Sequence, residues 1–276
     1  MNKMTTITAI APAKINLLLK VSPLKTGQVK HEVENVMHTI SLHDTLKVRI
    51  EEASEFSCSI NSTFENVADI NCEEKDNLIT IATKRFLEDN LLNDNLAITV
   101  DLTKRIPAQA GLGGGSADAA AMLLVLANHF KIATDLISTA SRIGADVPFF
   151  IDGGHQKMSG AGEIPDEKLA PIQSSLVLVK PDVGDSTAEI YAEFEKFGKS
   201  SINNDLQEPA ISLCPEIGEI TEFLGADSQM TGSGSCVFLI CKDFATASKI
   251  TGEAKLKGWW ARACSTIPTG ARLLNR

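Results

Sequence analysis

Apolar and polar positions change their period several times along the chain, and the changes mark its elements. Residues 4–10 and 15–21 carry branched apolar side chains in partial alternation, the pattern of half-buried strands. Residues 22–30, with Pro23 and Gly27, read as a loop, and residues 31–41 and 45–50 as further strands. Polar sequence without a clear period follows to about Asp76. Asp76 is expected to cap a helix over residues 77–87, where Leu78, Ile79, Ala82, Phe86 and Leu87 fall near one face. Residues 96–102 return to strand alternation. A glycine cluster then runs into an alanine-rich apolar stretch, the strongest helix former in the chain.

Beyond it, Thr134 or Asp135 is expected to cap a short helix that stops at Gly144. In "GADVPFFIDGG", Pro148 excludes a continuing helix interior, and Asp152, Gly153 and Gly154 form a turn. From there the pattern resets: strand at 176–180, helices at 186–197 and 216–224, strand at 236–241, helix at 245–257 and a last strand at 259–266. Strands and helices interleave in both halves without repeats, which predicts an α+β fold of two domains, 1–153 and 154–276.

Composition narrows the classes. With 276 residues, 43% hydrophobic and 22% charged, the chain can bury a sizeable core. A formal net charge of −9 opposes contact with nucleic acid or an anionic membrane surface. The start shows no secretory signal, and no apolar run approaches the length of a bilayer span. Six scattered cysteines without a C-x-x-C pair predict free thiols, a cytoplasmic protein and no structural metal.

The segment "PAQAGLGGGSADAAAML" (residues 107–123) raises the chemical question. A phosphate-binding P-loop needs a lysine after its glycines, and none is there. A dinucleotide fingerprint starting at Gly111 needs glycine at the position held by Ser116. Two readings remain. Ser116 caps a helix whose free backbone N–H groups and positive dipole end cradle a polyphosphate that approaches bare glycine backbone. Alternatively, the glycines serve only close helix packing.

Four segments, "PAKINLLLKV" (12–21), "IPAQAGLGGGSADAAAML" (106–123), "GADVPFFI" (144–151) and "MTGSGSCVF" (230–238), together resemble the GHMP kinase superfamily. "PAKINL" and the aspartate of "GADVPFF" narrow the resemblance to the branch acting on a CDP-linked methylerythritol. "EVENVMHTISLHDTL", "GAGEI", "PDVGDSTAEIY" and "NNDLQEPA" extend it over most of the chain. The resemblance implies an N-terminal domain like ribosomal protein S5 domain 2 and a ferredoxin-like C-terminal domain. It also implies ATP and Mg2+ as cofactors, a small-molecule substrate, and a monomer or weak homodimer.

It further assigns residues. Pro107, Ala108, Gln109, Ala110, Gly111, Leu112, Gly113, Gly114, Gly115, Ser116 and Ala117 become the ATP phosphate loop. Asp146 matches the general base that takes the proton of the substrate hydroxyl, and Lys14 its partner, favouring the developing alkoxide. Asn16, two residues along the same strand, helps hold the acceptor, and His31 matches a histidine that contacts the cytosine. Tyr191, the only tyrosine, falls where an aromatic ring meets the base. Thr231, Gly232, Ser233 and Gly234 form a second glycine turn, near substrate or phosphates or serving packing alone. The pattern departs at "GQVKHEVENVM": Lys30 stands where Asp-Gly-Tyr-His would place a tyrosine. The competing readings are a GHMP kinase for another small alcohol and a silent nucleotide-binding protein.

Overall fold

The computed structural model describes residues 4–69, 72–93, 95–133, 135–182, 186–200 and 202–274. Strands β1 (Thr5–Val21) and β2 (Val33–Glu52) pair antiparallel along their whole length, with irregularities between Pro12 and Lys14 and between Asn16 and Leu18. Each was expected as two strands. Pro12 has no N–H to give a ladder, but a strand irregularity absorbs it without ending the pairing. The register break at this point is what aims Lys14 and Asn16 out of the regular alternation.

Strand β3 (Ser57–Phe64) lies in the stretch whose sequence shows no period, and it pairs parallel to β4 (Leu96–Lys104). It is an outer strand with mostly exposed or half-buried positions, so it leaves little hydrophobic signal. Helix α1 (Leu78–Asp89) connects the two, and its N-cap is Asn77, whose side chain accepts from Ile79 N at 2.9 Å. Asp76, the expected cap, instead ends a single 3-10 turn, Glu74–Asp76.

Helix α2 (Gly114–Phe130) starts two residues before the expected cap Ser116. Gly113, at φ 72°, is the N-cap residue, and this left-handed glycine turns the chain directly into the helix. Ala117, Ala119, Ala120 and Ala121 are fully buried, and their small size lets α2 lie in the middle of the largest core cluster. Asp135 caps α3 (Leu136–Ser141), accepting from Ile137 N; the alternative cap, Thr134, lies outside the described residues. "VPFFID", where Pro148 excludes a continuing helix interior, starts a new helix, α4 (Val147–Asp152). Pro148 sits in its first turn, where a missing N–H costs no hydrogen bond.

The hairpin of β5 (His155–Ser159) and β6 (Ile164–Lys168) follows Gly153 in sequence but joins the first sheet through β2. A second sheet has the order β10-β7-β9-β8, with β7 at Ser175–Lys180, β8 at Gln229–Met230, β9 at Val237–Cys241 and β10 at Trp260–Ser265. Helices α5 (Thr187–Phe197), α6 (Gln207–Leu213), α7 (Pro215–Leu224) and α8 (Phe244–Leu256) accompany it. The chain closes with β11 (Arg272–Leu273), which returns to pair with β1. A third core cluster packs Ala13, Ile15, Ile40 and Leu112 of the first lobe against Leu176, Leu178, Cys236 and Phe238 of the second. All six cysteines are free, and among the described residues no helix is long and apolar enough to cross a membrane.

Candidate active site

The irregular stretch of β1 places Lys14 and Asn16 inside the molecule, 3% and 1% exposed. Lys14 N donates to Leu112 O at 3.0 Å, tying the strand to the glycine segment. The Lys14 ammonium donates to Asn16 Oδ1 at 2.5 Å and lies 3.6 Å from Asp146 Oδ2. Burial lowers the Lys14 pKa, and the Asp146 carboxylate partly restores it by charge and hydrogen bond. Asp146 is the N-cap residue of α4 but makes no capping bond, so its carboxylate turns to the ammonium.

Most glycines of the loop are required by the protein's own packing. A Cβ at Gly111 would stand 2.0 Å from Thr231 O, and one at Gly113 would stand 2.7 Å from the Phe150 ring. At Gly114 it would crowd Ile106 at 3.0 Å and Lys104 Nζ at 3.3 Å. Only Gly115 faces ordinary contact, Leu78 at 3.6 Å. Ser235 N donates to Gln109 O at 3.1 Å and Cys236 N to Ala110 O at 3.3 Å, so the two glycine turns lock together. Packing alone therefore requires glycine at 111, 113 and 114, whatever else the loop does.

A cavity of about 1080 Å³ runs past these groups, lined by Pro107 through Ser116 but not by Ala117, which is fully buried. Single ligand pockets span roughly 300–1,000 Å³, so this cavity lies at the upper end of that range. Lys14, Asn16, Lys30, His31, Asp146 and Tyr191 line it too. The His31 and Tyr191 rings lie 5.0 Å apart at 35°, and Phe194 closes on His31 edge-on at 5.7 Å. His31 Nδ1 is 2.9 Å from Ser22 O, which makes that nitrogen the protonated one. Burial, with the Asp146 charge second, pushes the Tyr191 hydroxyl up to about 12. Lys30 is exposed on the loop beside them.

The contacts order the cavity. Lys104 abuts Gly114, Gly113 abuts Lys14, Lys14 pairs with Asp146, and Asp146 acts on Tyr191, which packs on His31. The lysine–aspartate pair thus sits between the glycine loop and the aromatic end.

Sequence reasoning missed a buried charge cluster on the same wall. Lys104 Nζ donates to Asp44 and, at 2.7 Å, to Asp118 Oδ2. Asp44 Oδ1 also accepts from Ile106 N at 2.9 Å, whereas the buried Asp118 Oδ1 has no partner. Two carboxylates share one ammonium, and burial pushes Asp118 up to about 7, against the pull of Lys104. A signal existed: Asp118 is an acid inside an otherwise apolar helix stretch, and Lys104 falls on the buried phase of β4. Asn35, buried behind Asn16, carried no such signal.

Comparison with known proteins identifies the family. Residues 77–154 match the family model described as GHMP kinases N terminal domain, and residues 188–258 that described as GHMP kinases C terminal. A 4-diphosphocytidyl-2-C-methyl-D-erythritol kinase of Desulfitobacterium hafniense (strain Y51) is 36% identical, over 94% of this chain and 96% of its own. A crystal structure of a 4-(cytidine 5'-diphospho)-2C-methyl-D-erythritol kinase matches with TM-score 0.76 at 27% identity, over 94% of this chain and 99% of that one. Homoserine kinase from Cytophaga hutchinsonii ATCC 33406 shares the fold, at TM-score 0.69 and 16% identity, over 98% of this chain and 97% of its own. Sequence identity over nearly the full length of both chains decides the matter: this chain belongs to the 4-diphosphocytidyl-2-C-methyl-D-erythritol kinase family of the GHMP kinases.

Proposed function

We propose that this protein transfers the terminal phosphate of ATP to the 2-hydroxyl of 4-diphosphocytidyl-2-C-methyl-D-erythritol, in the non-mevalonate route to isoprenoid precursors. It is an ATP-dependent small-molecule kinase by family. The observation that carries the mechanism is the Lys14–Asp146 pair, 3.6 Å apart, on a wall shared with the glycine loop and with His31 and Tyr191. ATP lays its phosphates along residues 107–116, where the start of α2 offers backbone N–H groups and the positive end of its dipole. The cytidine end of the acceptor packs against Tyr191 and His31, with Lys30 beside the diphosphate.

Asp146 accepts the proton of the acceptor hydroxyl as the oxygen attacks, and the Lys14 ammonium stabilises the charge growing on that oxygen. Asn16 keeps the ammonium in place. Phosphoryl transfer demands positioning and charge management more than covalent help, which suits this small set of groups. Mg2+ binds mostly water and phosphate oxygens. The half-buried Ser116 hydroxyl on the cavity wall offers an oxygen to such an ion. Ser116 would help hold the ion, whose charge would offset that of the phosphates. We take the enzyme to be a cytoplasmic monomer or weak homodimer of two domains divided near Gly153, without nucleic-acid or membrane partners.

Lys30 favours a second reading, a GHMP kinase for another small alcohol. A silent nucleotide binder would have no use for the lysine–aspartate pair. ADP release from ATP and Mg2+ separates the readings: turnover is expected with the CDP-linked substrate and not with homoserine or mevalonate. Turnover with either of the latter alone overturns the assignment.

A further inference from the structure

We infer that Thr231 is a positioning residue for phosphoryl transfer, its hydroxyl setting Asn16 so that Asn16 Oδ1 holds the Lys14 ammonium against Asp146. The inference rests on the reading of Lys14 and Asp146 as the catalytic pair. Thr231 belongs to the second glycine turn, yet its side chain is fully buried against β1 of the other lobe. Its Oγ1 accepts from Asn16 N at 3.0 Å and donates to Asn16 Oδ1 at 2.9 Å, with Gly111 O farther off at 3.3 Å.

The Asn16 amide is then fully specified. Oδ1 receives the Thr231 hydroxyl and the Lys14 ammonium, while Nδ2 donates to Asn35 Oδ1 at 2.7 Å. Rotating the amide by half a turn would set its NH2 against the Lys14 ammonium and its oxygen against Asn35 Oδ1. Lys14 and Asn35 oppose that rotation, and the Thr231 hydroxyl, donating to Oδ1 while accepting from Asn16 N, fixes where the oxygen lies.

The turn is itself held rigidly enough for this task. Buried Asn204 donates through Nδ2 to Met230 O at 2.8 Å and to Gly232 O at 2.9 Å, bracketing Thr231. Thr231 N donates to Cys236 O at 2.9 Å, and Gln229 Nε2 to Asn16 O at 2.7 Å. Gly232 lets the turn come close, since a Cβ there would stand 3.1 Å from Lys14 Nζ. The second lobe thereby sets the geometry of a pair carried wholly by the first.

The test compares Thr231→Val, which keeps shape and loses the hydroxyl, with Thr231→Ser, which restores it. Misplacing a reacting group by an ångström costs about 10²-fold, so Thr231→Val is expected to lower kcat about 10- to 100-fold with KM for ATP unchanged. Asp146 faces the Lys14 ammonium on β1 and Tyr191 on α5. Thr231→Ser, which restores the hydroxyl, is expected to return kcat to near the wild-type value, a recovery that lost packing alone would not give. Asn16→Ala combined with Thr231→Val should be no slower than Asn16→Ala alone, because one acts through the other. Wild-type kcat in folded Thr231→Val, no recovery in Thr231→Ser, or additive losses in the double variant, would overturn the inference. If Thr231→Val does not fold, Thr231→Cys, a weak hydrogen-bonding group, takes its place with the same criteria. Asp146→Asn separates the two levels: if it stays active, the catalytic pair itself is wrong. If it is inactive while Thr231→Val is unaffected, only the positioning role falls.

Discussion

The loop of residues 107–113 and the loop of residues 22–32 face the same cavity but are built by opposite means. The first is held through its backbone: Leu112 O, Gln109 O and Ala110 O each accept from neighbouring strand or turn N–H groups, and two of its glycines leave no room for a Cβ. The second is held mainly by side chains, with Leu24 N donating to Glu195 Oε1 and His31 to Ser22 O. Its Val29 is 96% exposed and lines the cavity without packing on the core. A backbone-built end tolerates few substitutions without loss of structure, whereas a side-chain-built end can change what it recognises and leave the fold intact. Lys30 in place of an aromatic ring lies on the second kind of end.

Four predictions press on that contrast, the largest effect first. Asp146→Asn sits between the two ends and should alter neither, while turnover falls about 10²–10⁴-fold, the usual worth of a general base. Single-turnover kinetics with ATP affinity measured in parallel is the check, and a folded variant with normal turnover would falsify the base assignment.

Next come the glycines of the backbone-built end. Gly111→Ala adds a Cβ at φ 67°, 2.0 Å from Thr231 O, and should destabilise by about 2–4 kcal/mol, combining left-handed strain with overpacking. Gly115→Ala meets only Leu78 at 3.6 Å, so it should keep the fold and weaken nucleotide binding alone. Urea unfolding and calorimetry on both variants decide it; equal stability of the two would erase the distinction.

The same end carries the buried Asp44–Lys104–Asp118 cluster and should give it a pH dependence. Asp118 is pushed up to about 7 in the folded chain, above its value in an unfolded one. The folded form therefore holds the extra proton between roughly pH 4 and 7. Stability should fall as pH rises through that window, by at most about 1.4 kcal/mol per pH unit for one proton. Asp118→Asn should flatten the slope, as read from urea midpoints at successive pH values. A slope unchanged in the variant would assign the proton elsewhere.

At the side-chain-built end, Tyr191→Ala should weaken binding of the cytidine substrate by about 1–3 kcal/mol, the worth of one base–aromatic stack. ATP affinity should stay the same. Lys30→Tyr should tighten that binding by less, because a lysine stem already covers part of a ring and its charge is lost. Substrate affinity measured beside a non-hydrolysable ATP analogue tests both, and no change in Tyr191→Ala would move the base-binding pocket away from this end.

By itself the sequence determined the α+β fold, most of its strands and helices, and the short-range signals around Lys14, Asn16, the glycine cluster and Asp146. Those signals are local, since period, glycine content and the neighbours of a charged residue are all read within a few positions. Tertiary structure decided the rest. Outer strand β3 has no buried face to mark it, and the start of α2 depends on the left-handed Gly113 more than on the cap preference of Ser116. Pro148, which excludes a continuing helix interior, sits in the first turn of the new helix α4 that Asp146 begins. Whether a glycine faces ligand or protein depends on residues more than a hundred positions away, as Gly111 against Thr231 does. The pairing of Lys104 with Asp44 and Asp118, and of Asn16 with Thr231, joins groups that no sequence period relates. Only burial, by removing water as the competing partner, obliges those groups to find one another.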